Sequence, residues 1–294
     1  MSYANAERQT MSDCARPMHS TPNRCTLVAI AFAGMLFALG GIRPAVAHEF
    51  WIEPAASRVD PGTAVPVTVA LGQDFVGTPQ PYIPNTTVRF DAIGPDGTAS
   101  AAADFAETPA GRVQTPLPGL YTVVFRNKNS LIKLEPKTFE IYALKEGLEH
   151  ALEQRRQQGL DGHSALERYT RFPKTFILAG PDTAAGIGAT RPVGEPFELV
   201  PQSNPFTLAA GDTLPVRVLF NGEPLPGILV QAFQKEKQAR LSGGRTDDDG
   251  VARITLPLGG RWLISAVHIV PVNSPPPDWE SYWGSITLDV PAVN

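Results

Sequence analysis

From Val65 to Tyr142 apolar residues recur at every second position in short bursts: Val65–Leu71, Thr87–Ile93, Gly119–Arg126 and Lys137–Tyr142. Gly and Pro, as in Gly94–Gly97, separate the bursts at intervals of roughly ten residues, the spacing of strands and turns in an antiparallel sandwich. Alternation with period two puts one set of side chains on a core face and the other in solvent, so residues 48–143 are predicted to form an N-terminal β-sandwich.

The period then changes. Leu144, Leu148 and Leu152 recur at every fourth position, and Glu149 and Glu153 precede Arg155 and Arg156, which predicts an amphipathic helix. A second helix is predicted from Ser164 to Phe172, with Ser164 and Glu167 spaced as a capping box. Residues 144–180 therefore read as a helical bridge lying against a sheet, and residues 181–205, rich in Gly, Pro, Ala and Thr, as a linker. A second β-unit fills 206–294, with strands at Leu214–Phe220, Pro224–Phe233, Val251–Leu256, Gly260–His268 and Gly284–Val290 and turns at Asn221–Gly222 and Thr246–Gly250. The fold class expected is mainly β: two antiparallel sandwiches, immunoglobulin-like or transthyretin-like, joined by a short helical segment.

The first 47 residues stand outside this pattern. A polar start with Arg8, Arg16 and Arg24 precedes an apolar run from Thr26 to Gly40, and Ala45–Ala47 is the small-x-small triplet read by a signal peptidase. The run is short for a membrane-spanning helix, so residues 1–47 are expected to be a cleaved signal peptide, with no permanent membrane anchor. The mature protein is then periplasmic or secreted and begins at His48. Both cysteines, Cys14 and Cys25, fall in the removed segment, which leaves no disulfide and no lipid-modified cysteine. The whole chain carries a net charge of −4; losing the four basic and two acidic residues of 1–47 makes it about −6. With no basic run, nucleic acid and anionic membrane surfaces are excluded as partners.

Candidate chemistry concentrates at the new N-terminus, His48–Pro54. The α-amine and ring Nδ1 of one N-terminal histidine can chelate a single metal ion together, and an α-amine, with a pKa of about 7.7–8.0, deprotonates readily near neutrality. A second imidazole would complete a planar set of nitrogen donors suited to copper(II) and acceptable to nickel(II). His150, His163 and His268 are available. His268 is preferred, because it ends a predicted strand whose following loop offers Asp278 and Glu280 as oxygen ligands or supporting partners. His150 and His163 lie in or beside a charged helical stretch, where solvated histidines are ordinary. The metal-ligand expectation is therefore His48 and His268.

Other features read as structure. Thr246–Gly250 lacks the alternating oxygen ligands and distal Glu of a calcium loop and fits a hairpin turn. Trp51, Trp262, Trp279 and Trp283, with Tyr282, would make a sugar platform only on one shared face, and aromatic residues more often fill sandwich cores. There is no nucleophilic cysteine, no Gly-x-Ser-x-Gly elbow, no phosphate-binding glycine loop and no His-Glu-x-x-His, so an enzyme is not expected.

The residues His48–Pro54, the turn Asn221–Gly227, the hairpin Thr246–Leu256 and the strand Gly260–His268 together resemble a bacterial periplasmic family of unknown function once described as a subunit of a nickel-transport complex. The resemblance spans essentially the whole mature chain and is strongest at its two ends. It implies a role in transition-metal uptake or handling, with copper(II) or nickel(II)/cobalt(II) as the ion and an inner-membrane metal transporter as a partner, and the family's characteristic histidines fall on His48 and His268. Such proteins commonly carry a second histidine beside the strand-end one, where this chain has Ile269. The rival reading is a non-catalytic structural or adhesion module whose loops meet a protein or glycan partner, and a copper oxidase built on the same chelate is a third.

Overall fold

The computed structural model describes residues 49–274 and 276–291. The expected signal peptide, residues 1–47, and His48 lie outside the described residues. The first half of the chain forms β1 (Glu49–Pro54), β2 (Arg58–Val59), β3 (Thr63–Gln73), β4 (Val76–Gln80), β5 (Thr87–Gly94), β6 (Gly97–Ser100), β7 (Gly111–Thr115), β8 (Gly119–Asn127) and β9 (Ser130–Leu134). Two helices follow, α1 (Pro136–Lys145) and α2 (Glu149–Gln157). The second half contributes β10 (Ala165–Ala179), β11 (Phe197–Pro201), β12 (Thr213–Phe220), β13 (Glu223–Pro224), β14 (Leu229–Gln234), β15 (Ala239–Arg245), β16 (Val251–Thr255), β17 (Gly260–Pro271) and β18 (Trp279–Val290).

These strands make a mainly β protein of three sheets. A ten-stranded sheet runs β15-β14-β17-β18-β10-β8-β5-β6, with β2 and β9 pairing to β10. A four-stranded sheet of β1, β3, β4 and β7 covers it at one end, and a four-stranded sheet of β11, β12, β13 and β16 covers it at the other. The covers lie on opposite faces: Leu178 of β10 belongs to the core under β11 and β12, while its neighbours Ile177 and Ala179 belong to the core under β1 and β3. β10 is the element common to both halves. It pairs parallel with β18 over Glu167–Thr175 and antiparallel with β8 over Phe176–Ala179. The two sandwiches thus share one sheet.

Local patterns explain the elements. In β3, Val65, Val67 and Val69 are buried and Pro66 and Thr68 are less so, the period of a half-covered strand. β17 shows no alternation from Trp262 to Val267, because β11 and β12 cover one face and β1 and the helices the other. Asn221 and Gly222 both have positive φ, 52° and 85°, as the tight hairpin between β12 and β13 requires. In the Asp247–Gly250 turn, Oδ1 of Asp247 accepts the N–H groups of Asp249 and Val251, an arrangement that needs no calcium. All four tryptophans are core residues, none more than 8% exposed.

Four segments differ from the sequence expectation. Lys137–Tyr142, expected as a strand, lies in α1. Pro136 starts that helix, and Phe139, Tyr142 and Ala143 form its buried stripe while Ile141 faces solvent. Ser164–Phe172, expected as a helix, is the first half of β10; Glu167 is no capping residue but a buried side chain on the sheet. The linker over 181–205 contains β11, five buried residues paired to β12, because its Gly- and Pro-rich flanks concealed a short apolar strand. The expected helix from Leu144 is itself interrupted at Gly147, which has φ +72° and would press a Cβ to 2.7 Å from Leu229. No helix of the described residues is long and apolar enough to cross a membrane.

Candidate functional site

His268 is paired with Tyr282 across β17 and β18. Its ring shares the face of Trp262, Ile264 and Ala266, turned toward β11 and β12. There it meets Phe220 edge-on with centroids 4.8 Å apart, stacks with Phe197 at 6.2 Å, and lies 6.3 Å from Tyr282. Nδ1 is buried with no hydrogen-bond partner among the described residues. Burial, with a smaller contribution from the charge of His150, pulls its pKa down to about 4, so the imidazole is neutral near pH 7.

The other sequence candidates do not gather around that ring. Nε2 of His150 lies 3.3 Å from the carbonyl oxygen of Ile269, and His163 is exposed in the turn after α2. Oδ2 of Asp278 accepts the backbone N–H of Leu166 at 2.8 Å, and Oε1 of Glu280 pairs with Arg168 at 2.9 Å. Both carboxylates therefore hold the β10–β18 junction together. Among the described residues, no three His, Cys, Asp or Glu side chains form a group that could hold a metal ion.

The chain enters the described fold at Glu49, whose carboxylate is buried against Lys145 at 2.8 Å and accepts the N–H of Asp74 at 2.9 Å. Glu146, also buried, accepts from Nε2 of Gln231 at 2.8 Å. Burial raises the pKa of both; for Glu146 the charge of Glu49 adds to the effect and takes it to about 8. β1 then crosses the sheet, where the hydroxyl of Ser285 donates to the carbonyl of Phe50 at 2.9 Å and Trp51 packs on Leu263. Leu263 and Ser285 belong to the face away from β11. The strand that follows His48 and the ring of His268 thus occupy opposite faces of the ten-stranded sheet.

Two charged residues of β10 escaped the sequence reading because their segment looked helical. Glu167 is 1% exposed; it accepts from the hydroxyls of Ser281 and Tyr142, the latter at 3.4 Å, and Oε2 has no partner among the described residues. Burial lifts its pKa to about 7. Arg171 stacks on Phe50 and Tyr169. The alternation Ala165, Glu167, Tyr169, Arg171 was the signal that could have placed both on one face of a strand.

Fold and site together define a mainly β, double-sandwich protein with a shared central sheet. The chain belongs to the family described as Domain of unknown function (DUF4198), which matches residues 45–270. No curated protein matches it. Among solved structures it is similar to the D0-D1 domain of Intimin, with 11% identity, 81% of this chain and 97% of that chain covered, and a TM-score of 0.20. It is also similar to the BSP domain of a biofilm associated protein, with 12% identity, 83% of this chain and 30% of that chain covered, and a TM-score of 0.19. TM-scores at this level carry no argument about function.

Proposed function

We propose that the mature chain is a non-catalytic, exported transition-metal-binding protein that acts in the uptake or handling of copper(II) or of nickel(II)/cobalt(II), and that an inner-membrane metal transporter is its partner. The primary donors in this reading are the α-amine and ring of His48, freed by signal cleavage. His268 is a second donor. The observation that supports it is the state of His268: an imidazole held uncharged, with Nδ1 uncommitted, is in the protonation state in which histidine ligates metals.

Because β1 and the His268 ring lie on opposite faces of the sheet, the two histidines enter the reading as separately testable donors. Calorimetric titration of the mature protein and its His268→Ala variant with copper(II), nickel(II) and cobalt(II) separates them. A loss of about tenfold or more in affinity on removing His268 supports its role as a ligand. Unchanged binding confines the site to His48, and absence of binding in both proteins moves the reading to a structural or adhesion module. Binding through the amine and ring of His48 should weaken below about pH 6, where protons compete.

A further inference from the structure

A cavity of about 270 Å³ opens between β1 and β3 on one side and β8 on the other. Its walls are apolar at Phe50, Leu71, Tyr82 and Phe125, and its polar lining includes Asn127 and Arg171. The guanidinium carbon of Arg171 lies 5.1 Å from the ring centre of Phe50 and 4.5 Å from that of Tyr169. Oδ1 of Asn127 accepts the backbone N–H of Arg171 at 2.6 Å, which fixes the strand there and leaves the Asn127 amide nitrogen to donate.

The arginine has no ion-pair partner among the described residues: burial draws its pKa down, and Tyr169 and the carboxylate of Glu167, on the same face of β10, only partly oppose that. Among the described residues no carboxylate stands within ion-pair distance of it, although the other half-buried arginines of β5 and β17, Arg89 and Arg261, are each held by two. Nε of Arg171 is buried without a hydrogen-bond partner among the described residues. Buried charge is retained when something pairs with it, and stacking on aromatic faces immobilises a guanidinium while leaving its edge N–H groups free. A planar fork of donors beside an apolar, partly enclosed space matches a carboxylate on an apolar body.

We propose that this cavity binds a small monocarboxylate with an aromatic or aliphatic body, its carboxylate on Arg171 and Asn127 and its body against Phe50, Leu71, Tyr82 and Phe125. The site is independent of the metal reading and shares none of its residues.

The test is a nitrogen-15 NMR titration of the mature chain with 3-phenylpropionate, indole-3-acetate and octanoate, each beside its neutral amide. At least one carboxylate should shift the side-chain resonances of Asn127 and Arg171 and the amide of Phe50, with a Kd of about 1 mM or tighter. Its amide should bind about tenfold more weakly or not at all. Arg171→Met should abolish the preference and Arg171→Lys restore part of it. If Arg171→Met fails to fold, the acid–amide comparison on the unmodified protein decides alone. Equal binding of acid and amide, shifts confined to other parts of the protein, or no response to any of the three acids would overturn the proposal.

Discussion

Nζ of Lys174 lies 2.7 Å from Oε1 of Glu198, and both side chains are buried, each 4% exposed. Lys174 stands on β10 and Glu198 on β11, so the pair fastens the β11–β12 cover to the shared sheet. Glu198 also accepts the N–H groups of Val193 and Gly194, at 2.8 and 3.1 Å. Burial draws the pKa of Lys174 down, and the carboxylate opposes it. An isolated charge at this depth has no water to solvate it. Lys174→Met or Glu198→Gln alone should therefore cost about 3–5 kcal/mol in urea unfolding, whereas Lys174→Met with Glu198→Leu should recover much of the loss. Single variants within about 1 kcal/mol of the parent would contradict this account.

The helical form of residues 136–145 makes a contrast that a strand would not. On α1, Phe139 is 1% exposed and packs near Trp279, while Ile141 is 56% exposed. On a strand the two would share a face. Phe139→Ala should destabilise by about 3–5 kcal/mol and Ile141→Glu should stay within about 0.5 kcal/mol. Comparable losses at both positions would argue for the strand.

That contrast also marks how far the sequence could be read. Strands with one covered face, such as β3 with Val65, Val67 and Val69, announce themselves by period two, and the Asn221–Gly222 and Asp247–Gly250 turns by their residues. The segment around Tyr169 misled because Ser164 and Glu167 imitate a helix cap. In the structure Glu167 is satisfied across the sheet by Ser281, a partner far away in sequence. β11 was lost in its Gly- and Pro-rich flanks. Nothing local announces that β10 pairs with both β18 and β8, since that depends on two long-range registers. For the candidate site, the place of His268 on a strand was legible; the continuation of that strand to Pro271 and the orientation of the ring toward Phe197 and Phe220, away from β1, were not.

Glu167 should make stability depend on pH. Its pKa is about 7 in the fold against 4.5 for an ordinary glutamate, so the folded state holds a proton that the unfolded state has released between those values. The contribution is complete below about pH 4.5 and declines as pH rises to about 7. Glu167→Gln removes it. Urea midpoints measured from pH 5 to 8 should fall more steeply for the parent than for Glu167→Gln; parallel slopes would show that Glu167 ionises in the fold as freely as in water.

Gly284 sits where β18 meets the β11 cover. A Cβ there would lie 2.5 Å from Leu199 and 3.1 Å from Phe197, which also stacks on His268. Gly284→Val should cost about 1–3 kcal/mol by overpacking and should shift the His268 ring resonances. A stable variant with those resonances unmoved would show that the cover yields without disturbing the aromatic cluster.

In the proposed function, signal cleavage creates the metal-binding group. The most direct measurement is calorimetric titration with copper(II), nickel(II) and cobalt(II) of mature protein beginning at an authentic His48, beside the same protein with one extra N-terminal residue. One-to-one binding that the extension weakens by about a hundredfold or more is the result expected, because the extension converts the α-amine into an amide. Equal affinity in the two proteins, or no binding in either, would contradict it.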